Sequence, residues 1–260
     1  MRLHPMHMTP SVFLDTTVLK ASVDTRMMLL PEPKKVRWGD QEFEVNVHRP
    51  VFVNQNIKYL QQGNRERFED TLFLRFIAAL AKEQKIILLS HNEVFFELMH
   101  LPRTTGEGPR FYGAPIQEIE GPVQYGRIIA DWSKRDYQFE FLAGLKHPRF
   151  LELQRACGAF QGHNRPPHRN QLIDAFHLLC AESADAKYFL TLDDSLIRTL
   201  STHKTYKVNL TCITPKQLLI ALISRRPTWF WSMLKERWRI ARSGRKLDEE
   251  AQDASREFWT

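Results

Sequence analysis

Four carboxylates stand where a catalytic group would be held: Asp15, Glu97, Asp174 and Asp193. Asp15 ends the apolar run 11–14, and Asp193 closes the run 187–192. Asp174 falls in the first turn of a helix entered from a loop, and Glu97 lies on the helix that follows the apolar run 86–89. Carboxylates brought together without a cation repel one another and raise one another's pKa. A divalent ion removes the conflict, and Mg²⁺ or Mn²⁺ prefers such hard oxygen ligands. The chemistry suited to the set is phosphodiester hydrolysis, with the ion polarising a phosphoryl oxygen and generating hydroxide from water. Taken alone, Asp15 and Asp193 are also ordinary turn or cap residues, and Asp174 suits the positive end of its helix. Ser90 followed by Glu93 reads as a capping box, which leaves Glu97, one turn on, as the candidate. No P-loop, GxGxxG fingerprint, or serine or cysteine nucleophile motif competes.

To meet, these acids need strand ends that lie side by side. Residues 11–14 and 86–89 read as buried strands, with 116–119, 187–192 and 208–213 completing the set. Helical patterns fall at 16–20, 66–84, 90–100, 122–144, 148–157, from Asn170 as N-cap to 183, after Asp193 to 200, and from Pro215. In the second of these, Phe68, Leu72, Phe73, Phe76, Ile77 and Leu80 form the expected apolar stripe. Strands alternating with helices predict an α/β fold, three-layer α/β/α with a mainly parallel sheet. Ligands bind such sheets outside the carboxyl ends of the strands. Residues 25–62 break the pattern. Alternation from Val36 to Val47 around Gly39-Asp40 predicts a β-hairpin, while Pro31, Pro33 and Pro50 leave an extended surface insertion open.

Phe13-Leu14-Asp15-Thr16-Thr17 resembles the opening motif of the PIN-domain family. Asp174-Ala175-Phe176-His177, the Thr191-Leu192-Asp193 strand end, Glu97-Leu98 and the closing strand with Thr214-Pro215 resemble its later motifs, in the same order. The resemblance spans Val12 to Leu19 and most of Ile86 to Ile223. It implies a PIN-like nuclease domain over 11–224 with an insertion at 25–62, and a Mg²⁺- or Mn²⁺-dependent ribonuclease as in VapC-like toxins. Asp15, Glu97, Asp174 and Asp193 would bind metal, Thr17 and Thr191 would orient carboxylates or a metal-bound water, and Asp194 would be a supporting acid. RNA is then the expected partner ahead of DNA, with room for an antitoxin or other protein partner and for a homo-oligomer. A DNA nuclease of defence or repair, and a PIN-like module that binds without cleaving, remain as alternatives.

The chain has 260 residues, 43% apolar and 26% charged, as an ordinary globular protein does. No apolar run is long enough to span a bilayer and no signal-like segment opens the chain, so the expected location is cytoplasmic, without a membrane partner. Cys157, Cys180 and Cys212 suit neither a disulfide framework nor a zinc site and are expected to be reduced.

The net charge of +7 is local: residues 225–246 hold eight Lys or Arg against Glu236 alone, and the rest of the chain sums to zero. In the 225–260 extension, Trp229, Phe230, Trp231 and Trp238 interleave with Lys235, Arg237, Arg239 and Arg242, which suits phosphate contact with base stacking or a docked amphipathic helix. Arg165 and Arg169 are further candidate phosphate contacts. His163, His168 and His177 match no zinc spacing and are expected as loop and surface residues.

Overall fold

A computed structural model describes residues 9–23, 25–39, 41–54, 56–98, 111–123, 136–160, 162, 167–203, 205–225 and 235. The first apolar run is β1 (Ser11–Leu14), and it becomes the middle of a five-stranded sheet. β4 (Ile87–His91) and β6 (Tyr188–Leu190) pair with its two sides, and β5 (Ile116–Ile119) and β7 (Thr211–Ile213) take the edges. All four pairings are parallel, with Phe13 facing Leu89 on one side and Phe189 on the other. A parallel sheet is covered on both faces, which is why the inner strands β1 and β6 are buried and mainly apolar, while the edge strand β5 carries exposed Gln117 and Glu118. The cover is helical and falls into two packed groups. One contains α1 (Thr16–Ser22), α3 (Arg65–Lys82) and α9 (Pro215–Arg225); the other contains α5 (Asp136–Gly144), α6 (Pro148–Ala156) and α7 (Arg169–Ser183). The result is the expected α/β architecture with helices flanking a mainly parallel sheet.

The core joins these layers through aromatic contacts. Phe13 and Phe189, register partners on β1 and β6, stack at 5.5 Å, and Phe150 of α6 meets Phe176 of α7 edge-on at 5.8 Å. All four rings are fully buried, each contributing on the order of 1.5–3 kcal/mol relative to exposure. The α6–α7 pair is tied further by Arg149, whose guanidinium donates to both oxygens of Glu182 at 2.7 and 2.8 Å and to the Lys207 carbonyl. Glu182 also accepts from the Asn209 amide, which fixes the approach to β7.

Several local expectations change. In α3 the buried side runs through Leu74, Ile77, Ala78 and Leu80, while Phe68, Phe73 and Phe76 are only partly buried and Leu72 points to solvent. Ser90 lies inside β4 and is fully buried, so it caps nothing. α4 (Asn92–Leu98) instead begins where His91 Nδ1 accepts from the Glu93 amide. Asn170 lies within α7, whose cap position is His168. Residues 57–61 form a short helix, α2 (Ile57–Gln61), that the sequence reading lacked, and α8 (Asp194–Thr202) follows Asp193. Of the expected 122–144 helix, residues 122–123 form a bend, 124–135 lie outside the described residues, and α5 makes up the rest. The 225–260 extension lies outside them apart from Arg225, which ends α9, and Lys235, which is exposed. No helix among the described residues is long and apolar enough to cross a membrane.

Residues 25–54 are a hairpin, β2 (Thr25–Trp38) and β3 (Gln41–Asn54), longer than the alternating stretch alone predicts. Trp38 pairs with Gln41, leaving a two-residue connection in which Gly39 has φ +64°, a conformation favourable for glycine. The pair flanking such a connection exchanges both ladder bonds, and pairs alternate from there. Pro31↔His48, Pro33↔Asn46 and Leu29↔Pro50 therefore all fall on pairs that exchange none. The three prolines that argued for an irregular insertion remove no hydrogen bond from the ladder.

Candidate functional site

The chain order across the sheet reverses at β1: β4 and β5 build outward on one side, β6 and β7 on the other. Crevices open at such a switch point, outside the carboxyl ends of the strands. Asp15 occupies that end of β1. It is buried, and its amide donates to Leu190 O of β6 at 3.0 Å, so its position is fixed by the sheet. Its side chain caps α1, with Oδ1 accepting from the Thr16 amide at 2.7 Å. Oδ2 accepts from the hydroxyls of both Thr17 and Thr191, the latter at 2.7 Å.

The threonines also connect Asp15 to the neighbouring strand end. Thr191 Oγ1 accepts from the Asp193 amide at 3.0 Å, and Thr17 Oγ1 from the Leu192 amide at 3.1 Å. Asp193 then caps α8 through Oδ1 alone, accepting from Ser195 and Leu196. Asp15 and Asp193 are thus both cap residues, each with acceptor capacity left over, since a carboxylate offers about four lone-pair sites.

His177 departs most from expectation, for it is not a surface residue. It lies on the buried side of α7, 1% exposed, with Nδ1 3.7 Å from Asp15 Oδ1 and Nε2 3.2 Å from Glu97 Oε1. Neither approach has hydrogen-bond geometry, so the contacts are ion pairs, and both imidazole nitrogens and Glu97 Oε1 are buried without a hydrogen bond. Burial opposes the imidazolium, but Asp15 and Glu97 together outweigh it and raise His177 to about 10. Burial likewise works against ionised Asp15, and His177, Thr17 and Thr191 reverse it, leaving that carboxyl below its ordinary value.

Asp174 sits one turn before His177 on the same helix and feels the opposite balance. Burial first, then the charges of Asp15, Asp193 and Glu97, raise its carboxyl to about 8, with His177 partly opposing. The four acids named from sequence therefore share one electrostatic field. Among the described residues, however, no three or more His, Cys, Asp or Glu side chains are gathered closely enough to hold a metal ion as they stand.

The remaining candidates lie apart. Asp194 is exposed at the start of α8, and its charge adds to the burial that raises Asp70. Arg169 is exposed at the first position of α7. Arg165, His163, Arg237, Arg239 and Arg242 lie outside the described residues, and His168 is exposed. The cysteines are free, with Cys157 and Cys180 buried; burial pushes all three thiols up, Cys212 to about 12.

Two further buried groups lie near His177: Glu93, which the sequence assigned to a capping box, and His91, which it did not single out. Glu93 is buried, and His91, also buried, packs edge-on against Phe176. Burial holds the His91 imidazole below its ordinary pKa. A Cβ at Gly121 would lie 2.7 Å from His91 Nε2, although this ring is pinned by its own contacts. Gly121→Ala should therefore cost about 1–3 kcal/mol through forced repacking. Thermal unfolding followed by circular dichroism checks this, and an unchanged midpoint would refute the close approach.

The signal that would have found His177 is its spacing. Residues i and i+3 share a helix face, so Asp174 in the pocket places His177 there too. No family model matches this chain, and neither does any curated protein.

Proposed function

We propose that the chain is a metal-dependent endoribonuclease that hydrolyses phosphodiesters at the pocket of Asp15, Glu97, Asp174 and Asp193. The observation that carries this is Asp174, raised to about 8 by burial and by the other three acids at the switch point of a parallel sheet. Conflict among like charges is what a divalent cation relieves, and hard carboxylate oxygens are what Mg²⁺ or Mn²⁺ prefers. The donor set fits the ion in chemistry and charge, though in the described arrangement the acids share a field and not a coordination sphere.

When bound, the ion supplies Lewis-acid polarisation of a phosphoryl oxygen and an activated water. The chain's own residues prepare for it. Thr17 and Thr191 fix the Asp15 carboxylate, Asp193 keeps Oδ2 outside its cap, and His177 holds Asp15 and Glu97 on either side of one ring. RNA rather than DNA follows from the likeness to PIN-domain nucleases read from the motifs. The eight cations within 225–246 are suited to phosphate contact.

A second reading has its own observation. His177 already sets a positive charge between two of the acids, as a PIN-like module that binds without cleaving would need. Cleavage of labelled RNA and DNA with Mn²⁺ or Mg²⁺ separates the two. RNA cleavage is expected to fall at least about 100-fold in Asp15→Asn and Asp174→Asn, the upper range for losing a group that only supports a ligand. Equal cleavage by the variants defeats the site assignment. Binding of RNA with no cleavage by the native chain favours the module, and cleavage of DNA alone favours a DNA nuclease.

A further inference from the structure

We propose that Arg155, Phe160 and Tyr206 form a subsite for an unpaired RNA strand, with a phosphate on the Arg155 guanidinium and a base against the Phe160 ring. The assignment rests on the chain acting on RNA, as proposed above, and adds where the strand is held. Its local origin is the way α6 ends. Gly158, with φ +74°, closes the helix: the Ala159 amide donates to the Gln154 carbonyl at 2.8 Å and the Gly158 amide to the Arg155 carbonyl at 3.1 Å, the paired bonds of a Schellman motif. The chain turns back at this point, and the Phe160 ring meets the Arg155 guanidinium at 5.4 Å. The turn after α8 brings Tyr206, whose ring lies 5.5 Å from the same guanidinium and whose hydroxyl accepts from Nη1 at 3.3 Å. His203 packs on Tyr206 at 5.4 Å, and its Nδ1 accepts from the Tyr206 amide. Phe160, Arg155, Tyr206 and His203 thus form a connected series of planar groups.

The two arginines of α6 differ in what they are matched by. Arg149, against the same turn after α8, is held by Glu182, Glu152 and the Lys207 carbonyl. Arg155 has no carboxylate partner among the described residues, only a phenol oxygen and two rings. A guanidinium carries five N–H donors, and one hydroxyl leaves most of them over. None of the Arg155 nitrogens is buried without a partner, so the remaining donors reach water. The ring contacts hold the planar fork in place without cancelling its charge, which suits bidentate capture of a phosphate.

The surroundings fit an unpaired strand. Phe160 is 40% exposed, and aromatic faces beside a cation are what unpaired bases stack on. Lys207, next to Tyr206, is exposed and adds positive charge. The subsite also lies toward the pocket. The His168 amide, at the entry to α7, donates to the Ala159 carbonyl at 3.0 Å, and Cys157, two residues beyond Arg155, feels the charge of Asp174.

Fluorescence anisotropy of labelled oligouridine, which stays unpaired, tests this with the full chain in EDTA, where binding is separated from metal-dependent cleavage. Arg155→Gln should weaken binding and lower the slope of log Kd against log salt by about 0.7, the share of one phosphate on a single strand. Arg155→Lys keeps the charge and should keep the native slope. Phe160→Leu should weaken binding about fivefold with the slope unchanged, the lower end for losing one stacked base. Circular dichroism melts verify that each variant stays folded. Native affinity and slope in Arg155→Gln overturn the proposal, and RNA cleavage that still depends on Asp15 would then leave the nuclease reading standing without it. A native chain that does not bind the oligonucleotide overturns it as well. The expected losses of binding in a chain that cleaves nothing with Mn²⁺ or Mg²⁺ would support the subsite and remove the nuclease reading alone.

Discussion

Replacing His177 with leucine is expected to destabilise the chain by about 3–5 kcal/mol at neutral pH, the cost of removing one partner from a buried ion pair. Leucine restores apolar volume, so most of the loss comes from removing the cation between Asp15 and Glu97. The native chain should show a matching pH dependence. The folded imidazole is raised to about 10 from an unfolded value of 6.5. Its contribution is therefore full below about pH 6.5 and is lost as pH rises through about 10. The leucine variant should lack that alkaline decline from this group. Chemical denaturation across the range measures both curves. Equal stability of native and variant at neutral pH, with parallel profiles, would show that His177 carries no charge between the acids.

Asp174→Asn is expected to act in the opposite direction and to stabilise the metal-free chain. The folded carboxyl stands at about 8 against an ordinary 3.8, so the folded state resists its ionisation. The penalty is absent below about pH 4, grows as pH rises, and is complete above about 8. The gain from asparagine should reach about 2–3 kcal/mol at alkaline pH. It should stay below what the full shift implies, because Asp174 is only partly buried and water screens the rest. If the pocket takes a divalent ion, the same residue should reverse the ordering in its presence. Mn²⁺ would then raise the unfolding temperature of the native chain, increasingly toward pH 8, and leave the asparagine variant nearly unmoved. A variant no more stable than native at pH 9 without metal would contradict the shared field.

Long-range order was readable from short apolar runs. The runs ending at Asp15 and Asp193 became adjacent parallel strands because a strand buried on both faces has no polar positions to hide its signal. Asp174 was expected in the first turn of its helix, but α7 begins at Arg169 and places it in the second turn, because the helix starts ahead of Asn170. Ser90 misled because a serine three residues before a glutamate has the same spelling in a capping box and in a strand that runs on into a helix.

His177 was hidden by a different cause. Histidine spacing was compared with zinc patterns, whereas its partners, Asp15 and Glu97, come from two other elements and are far away in sequence. In the hairpin, the prolines read as breakers because their effect depends on which pairs they join, and that register is a property of the folded ladder.

β1, the first strand of the described chain, lies at the centre of the sheet and receives its second neighbour only after most of the sequence has passed. The hydrogen bond from Thr191 to Asp15 closes a separation of 176 residues, and the contact between Thr17 and Thr191 one of 174. At synthesis rates of roughly 5–20 residues per second, about ten seconds or more separate the emergence of these two ends. During that interval Asp15 has Thr17 but lacks Thr191 and His177, so the emerging chain carries no assembled site. Assembly of the four acids therefore waits on the arrival of β6, whatever is already folded before it.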